Sequence, residues 1–302
     1  MTDLIIIGGG MAGLTAAVYS LRAGKSVLVI EKSAFGGQIT SSPRVDNYPG
    51  LPAISGNALA DALLGQALDL GCEVELEEVS AVHPVENGFT VCAGSNEFKA
   101  RAIIVATGAR PRPLGLPGEE KLIGRGISYC ALCDGAFHKG QNVAVVGGGN
   151  TAAQAAVFLS DICSHVTVLQ DLDHFTCDQR DYEAMRSREN ISFQTSTRIS
   201  ALEGDDHLTG LKLLAADGAS SELPVQGLFV SIGRIPDTEA FADLLSMDKS
   251  GFLLTDDGLG AGMNGIWAAG DCRRKAVRQL TTAAADGTIA AVNACRFLDE
   301  GK

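Results

Sequence analysis

One pattern occurs twice in this chain, and it constrains the fold more than any other feature. An apolar run ending at Ile7 meets Gly8-Gly9-Gly10-Met11-Ala12-Gly13, then a helical stretch from Leu14 to Ala23, then Ser26-Val27-Leu28-Val29-Ile30-Glu31. Farther on, Asn142 to Val146 meets Gly147-Gly148-Gly149-Asn150-Thr151-Ala152. A second helical stretch, Ala153 to Leu159, and the strand Val166 to Leu169 follow, and Gln170 comes next. Gly8 to Glu31 spans the same count as Gly147 to Gln170, so one supersecondary unit is present twice.

Each unit reads strand, glycine turn, helix, strand. The first glycine permits a tight turn, the second lets backbone N–H groups approach a pyrophosphate, and the third lets the helix pack against the strand. A helix N-terminus favours the anion, and an acidic residue after the second strand accepts hydrogen bonds from a ribose. Gly8, Gly10, Met11, Ala12, Gly13, Glu31 and Lys32 are therefore candidate cofactor contacts in the first unit. The alternative, a glycine turn without ligand, leaves Glu31 unexplained. In the second unit the acidic place holds Gln170, with Asp171 one position on.

The remaining pattern is α/β. A helix is expected from Asn57 to Leu70, capped by Gly71. Short segments at 73–77, 88–93 and 98–100 suggest antiparallel strands. A buried strand follows and ends in Ala106-Thr107-Gly108. Short strands recur from Ile191 to Leu223, then at 225–232 and 251–254. The last helix runs from about Thr281 to Leu298.

Between the two units lies Ser128-Tyr129-Cys130-Ala131-Leu132-Cys133-Asp134-Gly135. Two cysteines at this spacing can form a disulfide, open to a dithiol or bind metal. A metal site would want a second pair, and neither Cys163 nor Cys177 belongs to one, so no metal is expected. The position between two nucleotide-binding units favours a disulfide that exchanges electrons with a bound flavin. Asp134 can shuttle a proton beside Cys133 or simply cap a helix. Cys72, Cys92, Cys163, Cys177, Cys272 and Cys295 read as small buried residues or incidental thiols.

Charge narrows the partners. The net charge of −12 argues against nucleic acid, which needs a basic footprint. No apolar run reaches membrane-spanning length. Met1-Thr2-Asp3-Leu4 enters a strand without a secretory signal, so a cytoplasmic protein without membrane contact is expected.

From end to end the chain resembles the low-molecular-weight thioredoxin reductases. The resemblance rests on the two glycine turns, Gly36-Gly37-Gln38, Asn47-Tyr48-Pro49-Gly50, Ala106-Thr107-Gly108, Cys130 to Gly135, and Gly265 to Asp271 followed by Arg278-Gln279. It implies an α/β fold of two Rossmann-like, three-layer ββα nucleotide-binding domains, the second inserted in the first. Residues 1–113 and 246–302 would bind FAD, and 114–245 would form a pyridine-nucleotide-type domain carrying the cysteines.

By the same resemblance, Gly37, Gln38, Asn47, Ala106, Thr107, Gly108, Gly270, Asp271, Arg278, Gln279 and Leu280 join the FAD contacts. Glu31 would hold the ribose, Asp271 the ribitol and Gln279 the isoalloxazine edge. Cys130 would attack a partner disulfide, Cys133 would face the flavin and Asp134 would act as general acid and base. A homodimer and a thioredoxin or thioredoxin-like partner are implied.

The second unit departs from the pattern. NADPH-using members carry a His-Arg-Arg…Arg cluster after the second strand, whereas this chain runs Gln170-Asp171-Leu172-Asp173-His174-Phe175-Thr176. Without cations for a 2′-phosphate, poor NADPH use is expected. Relatives lacking the cluster take electrons from ferredoxin or hold a second flavin, so a ferredoxin donor is favoured. Arg273-Arg274-Lys275 with Arg278 is the dense cationic cluster, and it reads as a docking patch, a solvated face or neighbours of the flavin phosphates. The expected activity is a flavin-dependent disulfide reductase passing electrons through FAD and Cys130–Cys133. Its rivals are an NADH-linked reductase serving a thioredoxin or peroxiredoxin-like partner, and a non-catalytic flavoprotein redox sensor.

Overall fold

The computed structural model describes every residue except Pro43, Asp46 and Lys302, and Ser41 by its backbone alone. Asp46, inside the Asn47 motif's flank, thus lies outside the described residues. The chain forms two compact units. One comprises Met1–Arg110 with Ile235–Lys302, and the other Pro111–Arg234.

The first unit opens with β1 (Thr2–Ile7), α1 (Met11–Arg22), β2 (Val27–Glu31), α2 (Gly56–Asp69), β3 (Glu73–Leu76), β4 (Val79–Val85), β5 (Gly88–Ala93) and β6 (Asn96–Val105). The chain leaves through β7 (Ala109–Pro111). The inserted unit contains α3 (Glu119–Leu122), β8 (Ile127–Ser128), α4 (Ala131–Asp134), β9 (Asn142–Val146), α5 (Asn150–Ser160), β10 (His165–Leu169) and α6 (Gln179–Arg186). It continues with β11 (Ile191–Gln194), β12 (Thr197–Glu203), β13 (Gly210–Ala215), β14 (Ser220–Pro224) and β15 (Gly227–Val230). The chain returns through β16 (Arg234–Pro236) to β17 (Ile266–Ala268) and α7 (Leu280–Glu300).

In the first unit the sheet order is β3-β2-β1-β6-β5-β4, with β17 also on β6. Strand alternation assigns each side chain to a layer. Leu4 and Ile6 of β1 face α1 and α7, in a core completed by Ala16, Ala17, Ala290 and Ala294. Ile5 and Ile7 face the opposite side, with Val91, Phe89 and Phe241. Each such fully buried aliphatic side chain is worth roughly 1.5–3 kcal/mol. β6 is one long strand rather than two segments. Its first half pairs antiparallel with β5 (Phe89 opposite Ala100), and its second half pairs parallel with β1 (Ile7 opposite Val105).

The inserted unit repeats the plan. Its parallel sheet runs β11-β10-β9-β15-β8, and a separate antiparallel sheet runs β12-β13-β14. Val143 and Val145 face α5 through Ala152, Ala153, Ala156 and Leu159. Ala144 and Leu228 face Leu211 and Leu213 on the other side. The fold is α/β with two Rossmann-like units, the second inserted in the first.

Three expectations need correction. β3 pairs parallel with β2 (Val29 opposite Val74), not antiparallel, because it extends the central sheet at its edge. Residues 251–254 form no strand; Leu253 makes only isolated bridges, to Met247 and Arg273. Residues 235–245, placed with the middle segment from the sequence, pack with the first unit. There Phe241 and Leu245 fill the second core layer, while the inserted unit opens at Pro111 instead of residue 114.

Candidate active site

At the C-terminal end of β1 the chain must turn sharply and let α1 start against the sheet. Gly8 has φ +108°, and a Cβ there would stand 2.3 Å from the Ala106 carbonyl oxygen. A Cβ on Gly13 would stand 1.9 Å from the Gly8 oxygen. Both are packing positions. Gly10 is different: a Cβ there would meet only the Gly36 oxygen at 3.9 Å, so its face is open. Gly10 caps α1 without a side-chain hydrogen bond, which leaves the first-turn N–H groups aimed at that open face.

Glu31 closes the turn from β2. Its buried carboxylate accepts from the Gly9 N–H at 2.7 Å and the Ser33 N–H at 3.0 Å. Gly8, Glu31, Lys32, Thr107, Asp237 and Phe241 line one cleft at the ends of β1, β2 and β6. Lys32 forms an ion pair with Asp237, a residue that the sequence reading passed over.

The other candidates gather on the same unit. Gln38 donates its side-chain amide to the Ala109 carbonyl, just past Gly108. Asn47 donates to the Gln279 side chain at 3.2 Å, so two residues far apart in sequence meet. Gln279 caps α7 in a capping box with Thr282. Met11 and Leu280 share a small apolar cluster with Ile39, Val45 and Leu59. Gly37 (φ +54°) has only the Gly10 Cα, at 3.5 Å, where its Cβ would be. Gly270 and Asp271 open a short 3-10 turn after β17. The Arg278 guanidinium lies over Phe252 at 4.2 Å. An open glycine cradle, an uncapped helix start and a buried carboxylate at the ribose position fit FAD.

Of the three readings of the cationic cluster, a docking patch does not fit its burial. Arg273 and Lys275 have side chains only 18% and 7% exposed, and both bond the buried carboxylate of Asp286. Arg278 donates to the carbonyls of Lys275 and Arg273. Of the four cations, Arg274 alone is exposed. The apolar run of α7 hid Asp286 from sequence reasoning; a lone acid among alanines was the available signal.

In the inserted unit Cys130 and Cys133 are joined by a disulfide, Cα to Cα 5.3 Å. Cys130 caps the short α4, and its Sγ accepts the Cys133 N–H at 3.2 Å. A sulfur that accepts an N–H is better able to carry thiolate charge. Ser128, quoted in the motif but given no role, donates its hydroxyl to Asp134 at 2.6 Å and accepts the Cys130 N–H at 3.0 Å. Asp134 is thereby bonded beside the disulfide, not left as a simple cap. Leu132 and Phe137 are exposed beside the pair. His138 is half-buried, edge-on to Phe229, and His174 is exposed on Asp173. Burial pushes the thiols of Cys72, Cys163 and Cys272 up to about 11, so they stay protonated at neutral pH.

The second glycine turn keeps its packing but changes its mouth. A Cβ on Gly147 would stand 2.3 Å from the Ser231 oxygen, as Gly8 does with Ala106. Buried Gln170 lies against Gly148 and donates to the His174 carbonyl at 3.3 Å. The Thr176 N–H bonds the Gly148 oxygen at 2.8 Å, as the Gly36 N–H bonds the Gly9 oxygen at 2.7 Å in the first unit. At the start of α5, Asn150 bonds the carboxylate of Asp178 at 2.7 Å.

A paired-unit nucleotide-binding oxidoreductase with a redox disulfide is the class that this fold and site define. Residues 2–287 match the pyridine nucleotide-disulphide oxidoreductase family. The thioredoxin reductase of Listeria monocytogenes is 41% identical over 302 residues, covering 99% of this chain and 95% of its own. The 34.2 kDa protein in the rubredoxin operon of Clostridium pasteurianum is 37% identical over 298 residues, covering 98% and 97%. The solved thioredoxin reductase of Streptococcus pyogenes matches with a TM-score of 0.93 at 34% identity over 99% of both chains. The chain belongs to the pyridine nucleotide-disulphide oxidoreductases and, among them, to the low-molecular-weight thioredoxin reductase family. It is an FAD-dependent oxidoreductase of the disulfide-reductase type. Among the described residues, no helix is long and apolar enough to cross a membrane.

Proposed function

We propose that this protein reduces thioredoxin or a thioredoxin-like partner and draws its electrons from a donor other than NADPH, with reduced ferredoxin the foremost candidate. One observation carries the donor reading. From Gln170 to Gln179 there is no lysine or arginine, while Asp171, Asp173 and Asp178 are exposed carboxylates. A 2′-phosphate needs cations, and like charges repel it.

Bound FAD supplies the two-electron reduction of the Cys130–Cys133 disulfide. The Cys130 thiolate then attacks a sulfur of the partner disulfide, forming a mixed disulfide and releasing one partner thiolate. The Cys133 thiolate attacks the Cys130 sulfur, which re-forms the internal disulfide and releases the second partner thiolate. Asp134, held by Ser128, takes up and returns the proton. The active species is a homodimer, which sedimentation measures.

The test is anaerobic. The yellow protein is mixed separately with NADPH, NADH and a reduced ferredoxin, and loss of the flavin band is followed. Fast bleaching by ferredoxin and slow bleaching by NADPH are expected; fast bleaching by NADPH would overturn the donor reading. Multiple turnover with oxidised thioredoxin separates an enzyme from a sensor, which would reduce once and stop.

A further inference from the structure

Asp286 is 4% exposed on α7 and accepts four hydrogen bonds. Arg273 gives two through its fork, Nε and Nη2, each at 2.8 Å. Lys275 gives one at 2.7 Å, and the Gly270 N–H gives one at 3.0 Å. A buried carboxylate is costly unless paired and hydrogen-bonded, and here every bond comes from the segment Gly270–Lys275. That segment carries Asp271.

The anchor is also close to the glycine cradle. A Cβ on Gly270 would stand 2.8 Å from the Ala12 Cβ, and one on Gly287 would stand 2.2 Å from the Ala12 oxygen. Ala12 lies in the first turn of α1, where the uncapped N–H groups are. One carboxylate therefore holds the Gly270–Asp271 turn, and Gly270 and Gly287 lie against the start of α1.

We propose that Asp286, through the Arg273 fork, Lys275 and the Gly270 amide, is a positioning residue for FAD. It fixes the turn bearing Asp271 against the α1 N-terminus before cofactor binds. This rests on the FAD reading. The cluster is internal architecture rather than a docking surface, and fork geometry rather than net charge does the fixing.

The test uses the full chain stripped of flavin and titrated with FAD. Asp286→Asn and Arg273→Lys are expected to raise the FAD Kd about 10-fold or more, a loss of about 1.4 kcal/mol. Both should shift the visible flavin band and reduction potential of the loaded protein, which a merely structural role would leave in place. Lys275→Arg, which keeps a donor on Asp286, should stay within about 3-fold of wild type, roughly 0.65 kcal/mol. Wild-type Kd and flavin band in Asp286→Asn and Arg273→Lys would overturn the proposal. A variant-free measurement guards against misfolding: in flavin-stripped wild type the Gly270 amide should resist hydrogen exchange, and rapid exchange there would equally overturn it. Wild type that binds no FAD would instead defeat the underlying reading.

Discussion

Installing cations beside the second glycine turn should create NADPH use. The variant is Asp171→Arg, Leu172→Arg and Thr176→Arg. All three side chains are exposed, so the fold has little to lose. The Thr176 hydrogen bond to Gly148 is a backbone bond and survives substitution. Phe175 stays anchored on Tyr182 and Phe193, with ring centroids at 5.7 and 5.6 Å. Two or three exposed cation–phosphate contacts give roughly 0.5–1 kcal/mol each. Two unit charges at 4 Å interact by about 1 kcal/mol in bulk water and about 4 kcal/mol near a protein surface. Asp171 is exposed, so the bulk-water figure applies and loss of its repulsion adds about 1 kcal/mol, for a total of roughly 2–4 kcal/mol. That corresponds to about a 30- to 700-fold gain in NADPH affinity. Anaerobic stopped-flow bleaching of the flavin band by NADPH measures it, with NADH as control, since its gain should be much smaller. A folded variant reduced by NADPH no faster than wild type would refute the assignment of donor choice to residues 170–176.

Other outcomes follow from single contacts. Gly287→Ala forces α7 off α1, because the new Cβ falls 2.2 Å from the Ala12 oxygen; urea unfolding should show a loss of roughly 1–3 kcal/mol or more. Cys133→Ser should trap a covalent adduct with oxidised thioredoxin, visible on a non-reducing gel, whereas Cys130→Ser should not. Ser128→Ala should slow turnover about 10-fold without changing FAD binding, since a hydrogen bond to a charged group is worth roughly 1.5–3 kcal/mol; unchanged kcat would remove Ser128 from the relay. Burial pushes the Asp286 carboxyl up, yet bonds from Arg273 and Lys275 outweigh it and hold the group below its ordinary value. A lowered native value gives stability that is complete above the unfolded value near about 3.9 and lost as pH falls through the native one. The stability gap between wild type and Asp286→Asn should therefore be full at neutral pH and close only in acid below about pH 4. A gap closed well above that in a denaturant series would refute the pairing.

Much of the fold was legible because it repeats. Strand, glycine turn and helix at one spacing announced both central sheets, whereas the wholly apolar run Leu4 to Ile7 gave no sign of which side chain enters which core layer. The misreadings share a cause: pairing partners are tertiary. Glu73–Leu76 looks like any short strand, and only its neighbour β2 makes it parallel. Gly233-Arg234-Ile235-Pro236 breaks the chain at the observed boundary, but Phe241 and Leu245 show their allegiance only through what they pack against. The site divides the same way. Glycines, Glu31 and the cysteine pair announce themselves by spacing. The Asn47–Gln279 contact joins residues far apart in sequence, and the Asp286 anchor joins a helix to the loop before it, pairings that spacing alone does not show.

The two units also show which parts of one motif serve packing and which serve a ligand. Gly8 and Gly147 both press on a carbonyl, at Ala106 and Ser231, so that position holds wherever helix meets strand closely. The residue after the second strand does not. Glu31 uses its charge to hold the Gly9 and Ser33 amides, whereas neutral Gln170 lies on Gly148 and ties itself to the His174 carbonyl. A glycine turn is thus evidence for a fold in both units, and both helices start on a glycine without a side-chain cap. The acid after the second strand, which marks a dinucleotide ribose, is present in the first unit alone. In the second, neutral Gln170 takes the place of the acid and the carboxylate of Asp178 stands at the helix start, which is the ground on which a donor other than NADPH is proposed.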